Sequence, residues 1–360
     1  MKGHQQKTRV AIVGSQGIPA NYGGFETLVE NLVIHASEDV EYTVFCSASE
    51  QPSKRSAYHG AELKYLPVKS HGPSSVLYDV WSMAHALRGF DTVLVLGVSG
   101  ALFIPVLKLF SKAHIIVNVD GIEYQRDKWN YAARTFLRTS LDVSMRWADI
   151  IVADNPGVKE FLRQRYGIDA HLIAYGGNQA LRETTPEYDK SILERIGVYG
   201  RDYNLAICRI EPENHCRLIL ETHRDLNREL VIVGNWQHSR YSRELFEEFS
   251  DIPTIKLVNF IYNLDELHTL RSNASCYVHG HGAGGTNPSL VEAMHFGNPI
   301  LAYDVIYNRE TTGGMAGFFN DKSSLRQLLK KVPANGEALR DYARANYNWS
   351  SIAAAYEALY

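Results

Sequence analysis

Cysteine is scarce: Cys46, Cys208, Cys216 and Cys276 are the 4 in 360 residues, and no two form a Cys-x-x-Cys pair. That scatter argues against a disulfide framework or a thiolate zinc site and fits reduced thiols in a cytoplasmic protein. Asp-x-Asp, His-x-x-x-His and Cys/His clusters are all missing, so no metal cofactor is expected. Excess positive charge is absent too: 37 Lys and Arg against 40 Asp and Glu leave a net charge of −3. No global basic field therefore argues for a nucleic-acid partner. The longest membrane-like stretch, Val93 to Phe110, is broken by Gly97, Ser99, Gly100 and Pro105 and carries Lys108. It reads as a buried strand, loop and helix, and no membrane span is predicted. Met1 to Arg9 is polar and basic with no apolar segment behind it, so no signal peptide is expected. What remains is an ordinary globular composition, 45% hydrophobic and 21% charged, at a length that suits two domains.

The most informative stretch runs from His279 to Met294. It follows the β-prone run Ala274 to Val278 and reads as strand, glycine-rich loop, helix. Gly280, Gly282, Gly284 and Gly285 free the backbone for close approach to a ligand. Thr286, Asn287 or Ser289 can cap the helix, and Pro288 suits its first turn. Such an end offers unpaired N–H groups to a phosphate, and Glu292, one turn in, can accept from ribose hydroxyls. A tight β-to-α turn with Glu292 on a solvated face has the same pattern. The packed Thr-Asn-Pro-Ser and the following Glu-Ala-Met favour the nucleotide site.

A second strand, loop and helix opens the chain: Arg9 to Val13, Gly14 to Gly24, then Phe25 to Val33. It lacks Gly-x-Gly-x-x-Gly and its loop is too long for the dinucleotide turn, which counts against NAD. Gly23 and Gly24 at the helix entrance either bring backbone amides to a substrate oxyanion or form a plain turn. Strands are predicted at Tyr42 to Cys46, Leu63 to Val68, Thr92 to Leu96, His114 to Val119 and Asp149 to Ala153, with helices at Ser75 to Leu87 and Arg134 to Ala148. The alternation restarts at Tyr203 to Cys208, Leu230 to Val233, Ile255 to Leu257, Ala274 to Val278 and Pro299 to Ala302. Gly176 to Asn178 and the charged Arg182 to Lys190 read as a linker. The expected fold class is α/β, two doubly wound Rossmann-like domains facing a central cleft, with both glycine loops at the carboxyl ends of strands.

These residues carry a resemblance. Ile207 to Asn214, the 279–294 stretch and Gly297-Asn298-Pro299-Ile300 resemble the donor domain of retaining GT-B glycosyltransferases of the family 4 type. Gly17 to Ala20, Tyr22 to Thr27, Asn118 to Glu123 with Lys128-Trp129, and the His279-Gly280-His281 loop resemble bacterial polysaccharide rhamnosyltransferases more specifically. The resemblance implies an acceptor domain over 1–180, a nucleotide-sugar donor domain over 190–342, and a terminal helix over 343–360 returning to the first domain.

It also implies site residues. Arg209 holds the leaving diphosphate with a bidentate fork, while the family's Lys position is Asn214, a neutral donor. Lys128 and Arg309 are candidate replacements. The family's first loop Glu falls at Gly284, so the backbone of Gly284, Gly285 and Thr286, with Asn287 and Ser289, would serve the donor. Asp120, where many relatives have a His, is the expected base or sugar-orienting group, with Glu123 as runner-up. From local sequence alone an Asx-turn before Gly121 is the favoured account of Asp120, and the resemblance reverses that preference. His279 and His281 either touch donor or acceptor sugar or are buried structural histidines.

The implied activity is a cytoplasmic, metal-independent, retaining sugar transfer, with dTDP-L-rhamnose as the nucleotide-sugar donor. The expected acceptor is a lipid-linked oligosaccharide of a capsule or O-antigen. A catalytically silent nucleotide-sugar or glycan-binding module and a GT-B-fold nucleotide-sugar epimerase are the alternatives. Gln125 to Trp147 interleaves Arg126, Lys128, Arg134, Arg138 and Arg146 with aromatic residues, which suits the anionic inner face of a membrane, or an ordinary helix with snorkelling arginines.

Overall fold

The structure, a computed structural model, describes residues 7–360 except 22, 52, 73, 127, 128 and 201. The chain forms two compact units, Met1–Tyr175 with Trp349–Tyr360, and Gly176–Asn348.

The first unit is built on an eight-stranded sheet: β1 (Thr8–Val13), β2 (Val40–Ser47), β3 (Ala57–Tyr58), β4 (Ala61–Leu66), β5 (Thr92–Leu96), β6 (His114–Asn118), β7 (Ile150–Ala153) and β8 (His171–Leu172). Its order is β3-β4-β2-β1-β5-β6-β7-β8, and every pairing except the short β3–β4 hairpin is parallel. Val10 to Val13 and all of β5 are fully covered, which is why these strands are continuous apolar runs rather than alternating ones. The strand order reverses between β1 and β5, so the loops leaving them border one crevice. Gly14 makes this possible: its φ is +93°, and a Cβ there would stand 2.2 Å from the Leu96 carbonyl oxygen. The last helix, Trp349–Glu357, belongs to this unit. Trp349, Ile352 and Tyr356 join Val10, Ile12, Leu28 and Leu32 in its core.

The second unit carries a six-stranded parallel sheet of β9 (Asn204–Ile207), β10 (Leu230–Gly234), β11 (Ile255–Asn259), β12 (Cys276–His279), β13 (Ile300–Tyr303) and β14 (Gly317–Phe319). Its order, β11-β10-β9-β12-β13-β14, reverses between β9 and β12. Trp236, Leu220, Ile232 and Phe249 lie in its fully buried core.

Three expectations change. The short β3, β8 and β14 have too few residues to show a period. Arg182 to Lys190 is not a plain linker, since the helix Pro186–Ile196 starts inside it. Thr185 caps that helix by accepting from Tyr188 N–H at 3.2 Å, Pro186 opens it and left-handed Gly197 ends it. The run Val93 to Phe110 is buried only in part, because the helix Ile104–Phe110 covers Ile104 and Leu107 but exposes Leu109 and Phe110.

Candidate functional site

In the second unit, the turns leaving β9 and β12 share the crevice where the strand order reverses. Arg209, on the first turn, is exposed, and its guanidinium makes no hydrogen bond or ion pair among the described residues. Asn214 is buried and donates its amide N–H to the Arg209 carbonyl at 2.8 Å. The side chain expected to face a diphosphate therefore braces the turn that displays Arg209. His215, which sequence reasoning passed over, takes φ 50° and stacks on Tyr303 with ring centroids 3.6 Å apart. Its Nδ1–H donates to the Gly280 carbonyl at 2.7 Å, and Gly282 N–H donates to the Glu213 carbonyl at 2.9 Å.

Two of the loop glycines serve this close approach. A Cβ on Gly280 would sit 2.2 Å from the Asn214 carbonyl oxygen, and one on Gly282 would sit 2.7 Å from the His215 ring. Gly284 differs. A Cβ there meets nothing within 4 Å, but its φ of +119° is one that L side chains rarely adopt. Backbone conformation, not lack of room, thus disfavours a glutamate at this position.

Asn287 is the cap of the helix Pro288–Met294, accepting from Ser289 N–H at 3.1 Å and from Ser289 Oγ–H at 2.8 Å. Thr286 is buried and Gly285 half-buried beside it. Glu292 accepts from Gln179 Nε2–H at 2.7 Å through one oxygen and from the Arg271 guanidinium through the other. Burial pushes the Glu292 pKa up, while Arg271 and Gln179 oppose that shift. Arg271 is only 3% exposed and its Nε and Nη1 have no hydrogen-bond partner, so Glu292 is its counter-charge. His279 and His281 are both buried, with their rings stacked 4.4 Å apart. Neither ring nitrogen of His279 has a hydrogen-bond partner, and burial lowers its pKa to about 3, so the ring is neutral.

In the first unit, Gly23 takes φ 79° and heads the helix Gly24–Ile34 without a side-chain cap. Glu26, in the first turn, is buried and accepts from Gln16 N–H at 2.7 Å. A Cβ on Gly23 would lie 2.6 Å from its carboxyl oxygen. The helix end expected to receive a substrate oxyanion at Gly23 and Gly24 therefore already holds a carboxyl. Burial raises the Glu26 pKa to about 7, with the Gln16 amide opposing. On the neighbouring loop after β5, Ser99 Oγ–H donates to buried Asp79, whose pKa burial also raises to about 7.

Asp120, just after β6, occupies the left-handed region at φ 57°, which costs a non-glycine residue about 1 kcal/mol. Asn118 Oδ1 holds it by accepting Asp120 N–H at 2.9 Å, and Tyr175 O–H donates to its carboxylate at 3.4 Å. Asn118 in turn donates to the Tyr356 hydroxyl at 2.7 Å. The Asx-turn is thus made by Asn118 rather than by the Asp120 side chain. Glu123 is committed locally, binding Arg126 at 3.0 Å and Trp129 Nε1–H at 3.1 Å.

Some expected residues play no visible part. Lys128, and Tyr22 of the first motif, lie outside the described residues. Arg309 is not a spare cation, since it pairs with both Asp304 oxygens at 2.6 and 2.8 Å and lies over Phe318. Among the described residues no group of three or more His, Cys, Asp or Glu is placed to hold a metal ion. No described helix is long and apolar enough to cross a membrane.

The two Rossmann-like units define an α/β fold of the GT-B class of glycosyltransferases. Residues 200–349 match the family model "Glycosyl transferases group 1", and residues 7–178 match a domain of unknown function, DUF1972. The fold is thus GT-B, and its second unit matches the group 1 glycosyl transferase model. Among solved structures it is similar to sucrose-phosphate synthase from Thermosynechococcus elongatus, at 16% identity over 98% of both chains and a TM-score of 0.80. It is also similar to Anabaena HepE in complex with UDP-glucose, at 14% identity over 98% of this chain and 99% of that one, TM-score 0.75. The catalytic domain of starch synthase IV from Arabidopsis thaliana, bound to ADP and acarbose, matches at 14% identity over 98% of each chain, TM-score 0.74. No curated protein matches in sequence.

Proposed function

We propose that this protein transfers L-rhamnose from dTDP-L-rhamnose, with retention and without a metal, onto a lipid-linked saccharide at the inner face of a bacterial membrane. The observation that carries the donor side is the unpaired Arg209 on the β9 turn, in the crevice it shares with the 279–287 loop. A free guanidinium in that place can neutralise a leaving diphosphate as its charge develops, which the chemistry needs and a metal would otherwise supply. Glu292 takes the ribose, and Asp120 serves as base or sugar-orienting group in the first unit. Rhamnose, retention and the lipid-linked acceptor come from the resemblance of the two glycine loops and the Asn118 to Glu123 segment.

The test is thermal stabilisation against dTDP, UDP, GDP, ADP and NAD, followed by turnover with and without an acceptor. A shift with dTDP and acceptor-dependent release of dTDP support the reading. A shift with UDP or GDP alone replaces the sugar. Turnover that changes the sugar without an acceptor makes the protein an epimerase, and binding without turnover makes it a silent module.

A further inference from the structure

The helical segment after β5 has a face that the fold leaves uncovered. Ala101, Ile104 and Leu107 point inward and are buried, while Leu102, Val106 and Leu109, at spacings of four and three, point out. Leu109 and Phe110 end the helix 70% and 71% exposed. This segment packs between the helices Ser74–His85 and Tyr131–Trp147. The first adds Leu77 and Trp81, also exposed and four residues apart. Large apolar side chains gathered on adjoining helices mark an interaction surface rather than ordinary surface scatter.

Charge identifies the partner. Arg88, Lys112, Arg138 and Arg146 on and beside these helices are exposed and form no ion pair among the described residues. Asp142 is the exposed carboxylate on the same helices, and it accepts from Tyr166 O–H at 2.6 Å; Asp79 is buried. Lys108 is paired with Asp149 at the edge. A chain of net charge −3 thus gathers unpaired cations around one apolar face. We infer that this face, centred on Leu109 and Phe110, docks the protein on an anionic lipid bilayer. The apolar side chains protrude at a helix end, as insertion below lipid headgroups requires, and the one-signed rim meets anionic headgroups. Of the aromatic residues of Gln125 to Trp147, Tyr131 is exposed, while Phe136, Trp147 and Trp129 are half-buried, with Trp129 bonded to Glu123. Of that stretch it is Tyr131, Arg138 and Arg146 that are exposed beside the apolar face.

This surface supplies the membrane part of the proposed function and rests on that reading only for its purpose, so its test uses neither donor nor acceptor. The full chain is floated with vesicles of phosphatidylcholine alone or with phosphatidylglycerol, at low and high salt. Flotation with the anionic vesicles at low salt is expected. Leu109→Ser with Phe110→Ser should cut it at least tenfold, and Lys112→Glu with Arg138→Glu should cut it by about fivefold or more per charge. All four positions are exposed, so circular dichroism and melting should be unchanged. Absence of flotation overturns the inference. So does flotation that ignores the Leu109 and Phe110 changes, or a dimer in sedimentation that those changes abolish, which would assign the face to a second copy. Nucleotide binding by the variants, unaffected in either case, keeps failure of the surface separate from failure of the transferase.

Discussion

Replacing Glu292 by alanine should unfold the second unit more readily, not merely empty a ribose contact. The substitution leaves the Arg271 guanidinium, 3% exposed and with Nε and Nη1 already unbonded, as a buried cation without a counter-charge. Breaking a buried pair from one side costs about 3–5 kcal/mol, which for a unit of this size lowers the melting temperature by roughly 10 °C. The pair is asymmetric. In Arg271→Leu the remaining Glu292 keeps its bond from Gln179, and its pKa, already pushed upward by burial, can rise until the group is neutral. An arginine has no such escape. The expected order of stability is wild type, then Arg271→Leu, then Glu292→Ala, with Arg271→Leu/Glu292→Gln above Glu292→Ala. Calorimetric melting of the wild type and these three variants reads this directly. If Glu292→Ala melted within about 2 °C of wild type, or Arg271→Leu were the worse of the two, the pairing argument would be wrong. The result also decides how donor binding is to be tested. Loss of nucleotide binding in Glu292→Ala mixes folding with contact, whereas Arg271→Leu/Glu292→Gln removes both charges together and keeps the shape at 292.

Three further outcomes follow from the geometry. Asp120→Asn tolerates the left-handed backbone and should lower turnover by about a hundredfold or more while sparing nucleotide affinity; unchanged turnover would exclude Asp120 as the base. Gly280→Ala should destabilise by about 1–3 kcal/mol from overpacking against the Asn214 carbonyl on top of any nucleotide effect, and calorimetry should rank it below Gly282→Ala, whose nearest obstacle is a side-chain ring at 2.7 Å. Glu26 and Asp79 both bind a proton more tightly folded than unfolded, their pKa values rising from 4.5 and 3.8 to about 7. Their contribution is therefore full at low pH and falls as pH climbs from about 4 to about 7, by roughly 3 kcal/mol each. Urea unfolding across that range should show the decline, and Glu26→Gln with Asp79→Asn should flatten it; a slope unchanged in the double variant would rule these carboxyls out as its source.

The sheets were legible because a parallel strand buried on both faces must be written as a continuous apolar run, as in Val10 to Val13 and Thr92 to Leu96. The glycine loops were legible for a related reason, since a backbone pressed against a neighbouring strand end excludes side chains. What escaped was pairing across distance. Arg271 meets Glu292 and Gln179 meets it from 113 residues away, and neither has a local signature. Tyr356 reaches Asn118 over 238 residues. The Val93 to Phe110 run shows a different limit: hydrophobicity says that a segment has apolar faces, but not how many of them the fold covers.

The two departures from the family pattern become coherent once the turns are seen together. At 284 the backbone has a φ of +119°, so glycine there is a condition of the loop's path rather than the trace of a discarded glutamate. At 214 the side chain turns inward to the Arg209 carbonyl, and the same residue's own carbonyl lies where a Cβ on Gly280 would have to go. A lysine at 214 could not replace that buried amide bond without leaving a charge inside. One substitution thus fits the turn against the loop, the other fits the loop's path, and the cation left facing solvent on this turn is Arg209. The diphosphate chemistry proposed for this unit therefore stands or falls with Arg209. Arg209→Lys keeps the charge but loses the planar fork, and should weaken nucleoside diphosphate binding less than Arg209→Ala does. Equal affinity in wild type and Arg209→Ala, measured by titration calorimetry, would move the diphosphate away from the β9 turn altogether.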